Sequence, residues 1–323
     1  MHEVVGGSLA GCSAALELLR QGRGVRIFEK SHFPRHKVCG EFLDSQAMKL
    51  LEGIEIEGTP IEEVALIWPR AQKRFKLPDS AIGISRYRLD KALLDAAVAR
   101  GAELVVEAGK TSAKTIVAYG RKSKSLRGQR FFAYKAHFAG RQNHAVELYF
   151  DGPAYTGVNP VEDGLTNVCG LAREEDLQAV GFDIERWIER QPRLAERISG
   201  LIRQFDWMFT GPLCYGHTDT SEGYLCGDAL NFTDPFTGSG MLSALATGKV
   251  AAESAIAGIP VEEHVRRCKQ LIEPAFRRAS LMRKALHWRL TEQLAGMLPG
   301  GILYGLSRPN LRQLGRGNSP SRR

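Results

Sequence analysis

The chain has 323 residues, 43% of them hydrophobic and 25% charged, with a formal net charge of +8. This balance is ordinary for a globular protein, and the length exceeds one typical domain of about 100–200 residues, so a sizeable core is expected. The longest apolar run, Met297 to Tyr304 with its Pro299-Gly300-Gly301 break, falls far short of the roughly 20 residues that span a bilayer.

Read in chain order, Val4-Val5 is a short apolar strand ending in Gly6, and Ala10 to Gln21 carries Ala14, Ala15, Leu16, Leu18 and Leu19 at spacings that suit a helix packed on a sheet. Gly22 to Gly24 breaks that helix, and Val25 to Glu29 reads as a second strand, giving a βαβ unit. A further helix is expected from Asp90 to Arg100, with strands at Glu103 to Glu107 and Thr115 to Tyr119 that extend the same sheet. From about Gln129 the pattern changes to strands, Phe131 to Phe138, Ala145 to Phe150, Thr156 to Asn159 and Thr166 to Leu171, read as an antiparallel sheet. Helical periodicity returns at Glu174 to Val180, Ile184 to Gln204, Gly240 to Ala257 and Pro260 to Leu294, with breaks or kinks expected at Pro192 and Pro274. The fold class is therefore α/β: a Rossmann-like domain over residues 1–128 and 212–259, an inserted sheet domain over 129–211, and C-terminal helices over 260–310. Residues 311–323 read as a basic, solvated tail.

Two segments carry chemistry. Gly6-Gly7-Ser8-Leu9-Ala10-Gly11 lies between the first strand and helix, where glycines allow a tight turn and the helix N-terminus offers N–H donors to a pyrophosphate. Ser8 stands where the usual fingerprint has its second glycine, which adds a side chain near the phosphate unless its hydroxyl itself donates to it. Glu29 ends the second strand about 20 residues on, where an acid accepts bonds from an adenosine ribose. Far downstream, Tyr224-Leu225-Cys226-Gly227-Asp228-Ala229 is followed by Asp234-Pro235-Phe236-Thr237-Gly238-Ser239-Gly240-Met241 and a helix. Asp228 reads either as a turn residue or as an acceptor for a polyol, and the glycine-rich helix start as a donor to an electron-rich ring. Taken together the two segments point to a flavin dinucleotide.

With Phe33-Pro34-Arg35-His36-Lys37-Val38-Cys39-Gly40-Glu41 and Ser85-Arg86 with Leu89-Asp90, these blocks resemble the FAD-dependent oxidoreductases that include geranylgeranyl reductases and aromatic-ring hydroxylases. The resemblance runs from Glu3 to about Ala257. It implies that FAD contacts Gly6, Ser8, Leu9, Ala10, Gly11, Glu29 and Lys30 at the nucleotide end. It further implies contacts from Arg35, Lys37, Cys39, Gly40, Arg86 and Ala118, and from Gly227, Asp228, Pro235, Gly238, Gly240 and Met241. Cys39 reads equally as a residue with a chemical role and as a buried thiol. Tyr155 is a candidate proton donor or substrate contact, and equally a structural tyrosine.

Three features depart from the resemblance. Val117-Ala118-Tyr119-Gly120-Arg121 lacks the aspartate that many hydroxylases use toward NADPH. A short polar link, Ala108 to Lys114, stands where a longer β-meander is usual. Gly157 occupies the place of a tryptophan in the reductase substrate motif. The implied activity is hydride delivery to a carbon–carbon double bond of a small apolar substrate, with electrons from NADPH or from a reductase or ferredoxin-type donor. Monooxygenation of an apolar or aromatic substrate is the alternative, and a flavin-binding protein without turnover a third reading. A halogenase is disfavoured because the chain has no Trp-x-Trp-x-Ile-Pro run.

The remaining signals concern surroundings. The six cysteines form no C-x-x-C pair, the eight histidines show no ligand spacing, and so neither a metal site nor a disulfide framework is expected. No nucleic-acid motif is present, and the start of the chain has no signal-peptide pattern, so a cytoplasmic location is the expectation. Arginines and lysines beside Leu281, Leu286, Trp288 and Leu290 leave peripheral membrane contact open against simple packing on the core.

Overall fold

The computed structural model describes residues 1–121, 130–213, 216–217, 222–232 and 238–286. It opens with β1 (His2–Val5), α1 (Leu9–Arg20) and β2 (Val25–Phe28), followed by β3 (Phe42–Leu43), α2 (Ser45–Lys49), β4 (Thr59–Ile67), β5 (Gln72–Gly83) and α3 (Arg86–Ala99). The short strands β6 (Glu103–Val105) and β7 (Ile116–Val117) lead to four longer ones, β8 (Phe131–Ala139), β9 (Ala145–Asp151), β10 (Ala154–Pro160) and β11 (Leu165–Arg173). Three short helices come next, α4 (Glu174–Gln178), α5 (Ile184–Glu189) and α6 (Pro192–Ile198). The strands β12 (Ile202–Arg203), β13 (Met208–Thr210), β14 (Gly216–His217), β15 (Tyr224–Leu225) and β16 (Asn231–Phe232) then precede α7 (Gly240–Ala257) and α8 (Val261–Leu286).

The first sheet is parallel and five-stranded, in the order β15-β7-β1-β2-β6. Both expected extensions, β6 and β7, join it. Val4, Val25, Ile27 and Ile116 are fully or almost fully buried in it, and Leu9, Ala14, Ala15 and Leu18 lay one face of α1 against them. The apolar residues of the sheet are concentrated at the carboxyl end of β1 and throughout β7, and they alternate with Arg26 in β2.

The second sheet has nine strands, in the order β12-β8-β11-β10-β9-β4-β5-β3 with β13 also paired to β8. It corrects the expectation of an antiparallel sheet drawn from residues 129–211 alone. Residues 42–83 supply three of its strands, and β4 runs parallel to β9, so the sheet is mixed. The reason is visible in β5, whose Gln72-Lys73-Arg74-Phe75-Lys76-Leu77 alternates exposure along a charged segment and so hides its strand character. One face of this sheet, with Tyr134, Ala136, Phe138, Val158 and Val168, is covered by α4, α5 and α6 through Leu177, Trp187 and Leu194.

The break expected at Pro192 is present: α5 ends at Glu189 and Pro192 begins α6, in keeping with the preference of proline for a first helical position, but the helix expected to reach Gln204 ends at Ile198, where the chain turns into β12. Pro274 lies inside α8, which continues to Leu286. The remainder of the expected C-terminal helix and the basic tail lie outside the described residues. Among the described residues no helix is long and apolar enough to cross a membrane.

Candidate functional site

A cavity of about 820 Å³ lies between the two sheets, within the range of about 300–1,000 Å³ usual for small-molecule and cofactor sites. At its small-sheet end the wall is backbone. Gly6 adopts φ 111°, and a Cβ there would stand 2.3 Å from the carbonyl oxygen of Ala118. Gly11 sits beneath this turn, where a Cβ would come within 1.7 Å of the Gly6 carbonyl oxygen, so its role is close helix packing and not cavity lining. The first turn of α1 opens onto the cavity at Ser8, Leu9 and Ala10, with N–H groups for which the helix has no acceptors. Glu29 fixes the turn by accepting from the Gly7 N–H at 2.8 Å and the Ser31 N–H at 2.9 Å, and it faces the cavity beside Lys30.

The downstream segment closes the same wall. Gly227 adopts φ 58° and presses on α1, with its N–H donated to Thr247 Oγ1 at 2.9 Å. Asp228 presents its carboxyl to the cavity while surrounded by protein mass; burial raises its pKa, against the pull of Arg86, Arg121 and Lys37. Gly238, Gly240 and Met241 also line the cavity, whereas Pro235 lies outside the described residues. The short link from Ala108 contributes too: Ala108 and Gly109, with Glu107, form part of the wall near Phe28.

Cations gather where the helix N-terminus opens. Lys37 Nζ and Arg86 Nη2 each donate to Ser8 Oγ at 2.7 Å, and Ser8 passes its own proton to Asp90 at 2.9 Å. The Ser8 hydroxyl is thus engaged within the protein. Asp90, fully buried, also pairs with Lys37 at 2.7 Å and with Arg86 Nε at 2.9 Å. Burial and the neighbouring Arg86 lower the Lys37 pKa to about 8 even though Asp90 pulls the other way. For Arg86 burial works downward, but Asp90 and the Cys39 sulfur outweigh it and hold the guanidinium above its ordinary value. Arg35, Lys37, Cys39, Gly40 and Arg86 line the cavity together, as does Ala118.

At the large-sheet end the wall is a face of side chains in register. Opposed strand residues share a face, and alternate residues repeat it. One row is His137, Asn167 and Asn159; the next is Lys135, Cys169, Gly157, Leu148 and Leu66; the third is Ala133, Leu171, Tyr155 and Phe150. The face is therefore polar at one edge and apolar at the other, and Tyr155, Leu171, Leu148, Leu66 and Ala133 line the cavity. Burial pushes the Cys169 thiol far up, so it stays protonated.

Sequence reading missed Asp90, Glu41, Lys135, His137 and Asn167 as site residues. Asp90 carried a signal, the four-residue spacing from Arg86 on a helix start. Lys135 and His137 carried another, two polar residues at strand spacing within the otherwise apolar β8.

No protein-family model and no curated protein matches the chain in sequence. Solved structures do match. A flavoprotein/dehydrogenase from Cytophaga hutchinsonii is 19% identical with a TM-score of 0.72, covering 87% of this chain and 85% of that one. A flavin-dependent brominase, a triple mutant of Bmp2, is 17% identical with a TM-score of 0.79 over 94% of this chain and 93% of that one. The fold is that of these flavoenzymes. The halogenase PltM, solved in complex with phloroglucinol and FAD, is 13% identical with a TM-score of 0.70 over 88% and 76% of the two chains.

Proposed function

We propose that this chain is an FAD-dependent oxidoreductase acting on a small apolar substrate. The observation that carries the reading is the single cavity joining the glycine turn and its cations to the apolar rows of the large sheet. The residues fit the cofactor. Gly6 leaves room for close approach, the α1 N-terminus with Lys37, Arg86 and Arg35 suits a pyrophosphate, and Asp228 offers a cavity-facing carboxyl to a polyol. A bound flavin would supply hydride transfer or oxygen activation, chemistry that protein side chains lack.

Within that reading the leading activity is addition of hydride and proton across a carbon–carbon double bond. Ala133, Leu148, Leu171 and Leu66 would exclude water and hold the substrate, and the Tyr155 phenol in the same rows would hold the proton it receives. Electrons would come from NADPH or from a reductase or ferredoxin-type partner. Monooxygenation or a related oxygen-dependent reaction is the second reading, favoured by the fold shared with a brominase and with a halogenase solved in complex with phloroglucinol and FAD.

The test is anaerobic reduction of FAD-reconstituted protein, followed by an unsaturated apolar substrate and then by air. Recovery of the oxidised flavin spectrum with substrate alone supports double-bond reduction. Substrate-dependent oxygen uptake without peroxide release supports the second reading. Failure to bind FAD sinks both.

A further inference from the structure

Glu41 combines three unusual properties. It is fully buried, it carries a charge, and it adopts φ 53°, a left-handed conformation that disfavours residues with a Cβ. Its carboxyl meets donors from three directions: the backbone N–H of Arg86 at 2.7 Å, His137 Nε2 at 2.7 Å, and Lys135 Nζ. The backbone carbonyl of Glu41 accepts from the Ile84 N–H at 3.1 Å. Lys135 is itself completely buried and also donates to the Lys37 carbonyl at 3.1 Å, while Asn167 Nδ2 donates to the Cys39 carbonyl at 3.2 Å. The Glu41 N–H in turn reaches the Cys39 sulfur at 3.4 Å. These outer donors come from β8 and β11 of the large sheet, from Ile84 just after β5 and from Arg86 at the start of α3, and their acceptors lie on the loop from Lys37 to Glu41.

We propose that Glu41 is a positioning residue, clamped by Lys135 and His137, that fixes the cavity loop from Lys37 to Glu41 and so sets where Cys39 and Arg86 stand at the wall. Burying an isolated carboxylate or ammonium is costly, and the pair persists because each neutralises the other while the remaining donors saturate the carboxyl. Glu41 joins three pieces through its side chain: strand β8 of the large sheet, the loop that runs on into β3, and the helix that begins at Arg86. Removing both charges together releases this joint without stranding either one. The cavity end of the proposal, the effect on a bound flavin, rests on the FAD reading given above; the loop end does not.

The experiment uses the full-length chain with and without FAD. In the double variant Glu41→Gln with Lys135→Met, labelling of Cys39 by N-ethylmaleimide, followed on its own peptide by mass spectrometry, rises roughly tenfold in the apoprotein as the loop opens more often. In the FAD-loaded form the midpoint potential of the flavin shifts from that of the wild type. A milder variant, Asn167→Ala, leaves the Glu41 cluster intact, removes the donor to the Cys39 carbonyl along with a longer bond to Asn159 at 3.4 Å, and raises labelling by a smaller factor, which keeps the question decidable if the double variant does not fold. Folded variants that label Cys39 at the wild-type rate overturn the proposal, and so does an unchanged potential in a double variant that folds and binds FAD. If the wild type binds no FAD, the proposed function falls while the labelling comparison still decides the role of Glu41.

Discussion

At the small-sheet end of the cavity the decisive features are backbone: a glycine at positive φ, a helix N-terminus, and a second glycine packed under the first. At the large-sheet end they are side chains, brought into rows by strand register from segments as far apart as Leu66 and Cys169. A backbone wall reads the shape and charge of a ligand and tolerates changes of side chain, so long as no Cβ is added. A wall of register-matched side chains can be retuned one residue at a time, and it can be broken only where it carries buried charge.

Two substitutions test that contrast by trying to break each wall. Lys135→Met, at the large-sheet end, strands the Glu41 carboxylate and should cost about 3–5 kcal/mol of stability, read as a fall in the midpoint of urea unfolding. Glu41 would feel the loss directly. Burial alone would raise its pKa, and the Lys135 ammonium with His137 now outweighs burial and holds the carboxyl below the ordinary range. Gly11→Ala, at the other end, should cost about 1–3 kcal/mol, because the added Cβ meets the Gly6 carbonyl oxygen and the turn must move. FAD retention, measured as flavin absorbance per protein after gel filtration, should drop sharply in Gly11→Ala. An equal loss of FAD from a neutral change in the apolar rows would contradict the contrast.

The same contrast explains what was legible in the sequence. The βαβ unit with Gly6, Gly11 and Glu29 is local, spanning fewer than 30 residues, and its periodicities and turn glycines are direct statements about backbone. The Asp228 segment was readable for the same reason. The large sheet was half legible: β8 to β11 announce themselves, but β4 pairs across to β9 from the other side of α3 and carries β5 on its far edge, and β5 hides among Lys73, Arg74 and Lys76. Glu41 and Lys135 are separated by 94 positions, and neither residue type in isolation signals a buried pair. Asp90 stands four residues after Arg86, a spacing that an exposed helical ion pair would also show, and only the fold shows that it is buried and shared with Lys37 and Ser8.

A third substitution sharpens the difference without breaking anything. A Cβ at Gly157 would have ordinary contacts at 3.5 Å with the Cys169 carbonyl oxygen and Leu148 Cδ2, so the position accepts a side chain and directs it into the apolar rows. Gly157→Trp should fill that end with a residue that buries about 150–250 Å². Binding of a fluorescent apolar probe to the cavity should fall, while FAD titration gives the wild-type affinity. Loss of both together would mean that the two ends are not separable.

The smallest expected effect lies between the ends, at Lys37, and concerns pH. Its folded-state pKa of about 8 is below the ordinary value of 10.5, chiefly through burial and then through Arg86. The sign follows from proton counts. Below about pH 8 the lysine is charged both folded and unfolded, and the penalty for burying that charge is fully present. As pH rises through 8 toward 10.5 the folded protein has released a proton that the unfolded chain still holds, so the apoprotein gains stability across that interval. Affinity for FAD should move in the opposite direction, because the ammonium that attracts the pyrophosphate is lost as pH rises above about 8, whereas Arg86 keeps its charge. Lys37→Met should lower FAD affinity at pH 7 modestly and remove its dependence on pH between about 6.5 and 9.5, about one and a half units either side of the midpoint near 8. Fluorescence titrations of FAD into wild type and variant across that range decide it: a slope retained in Lys37→Met would assign the titration to another group and leave the α1 N-terminus with Arg35 and Arg86 to attract the pyrophosphate.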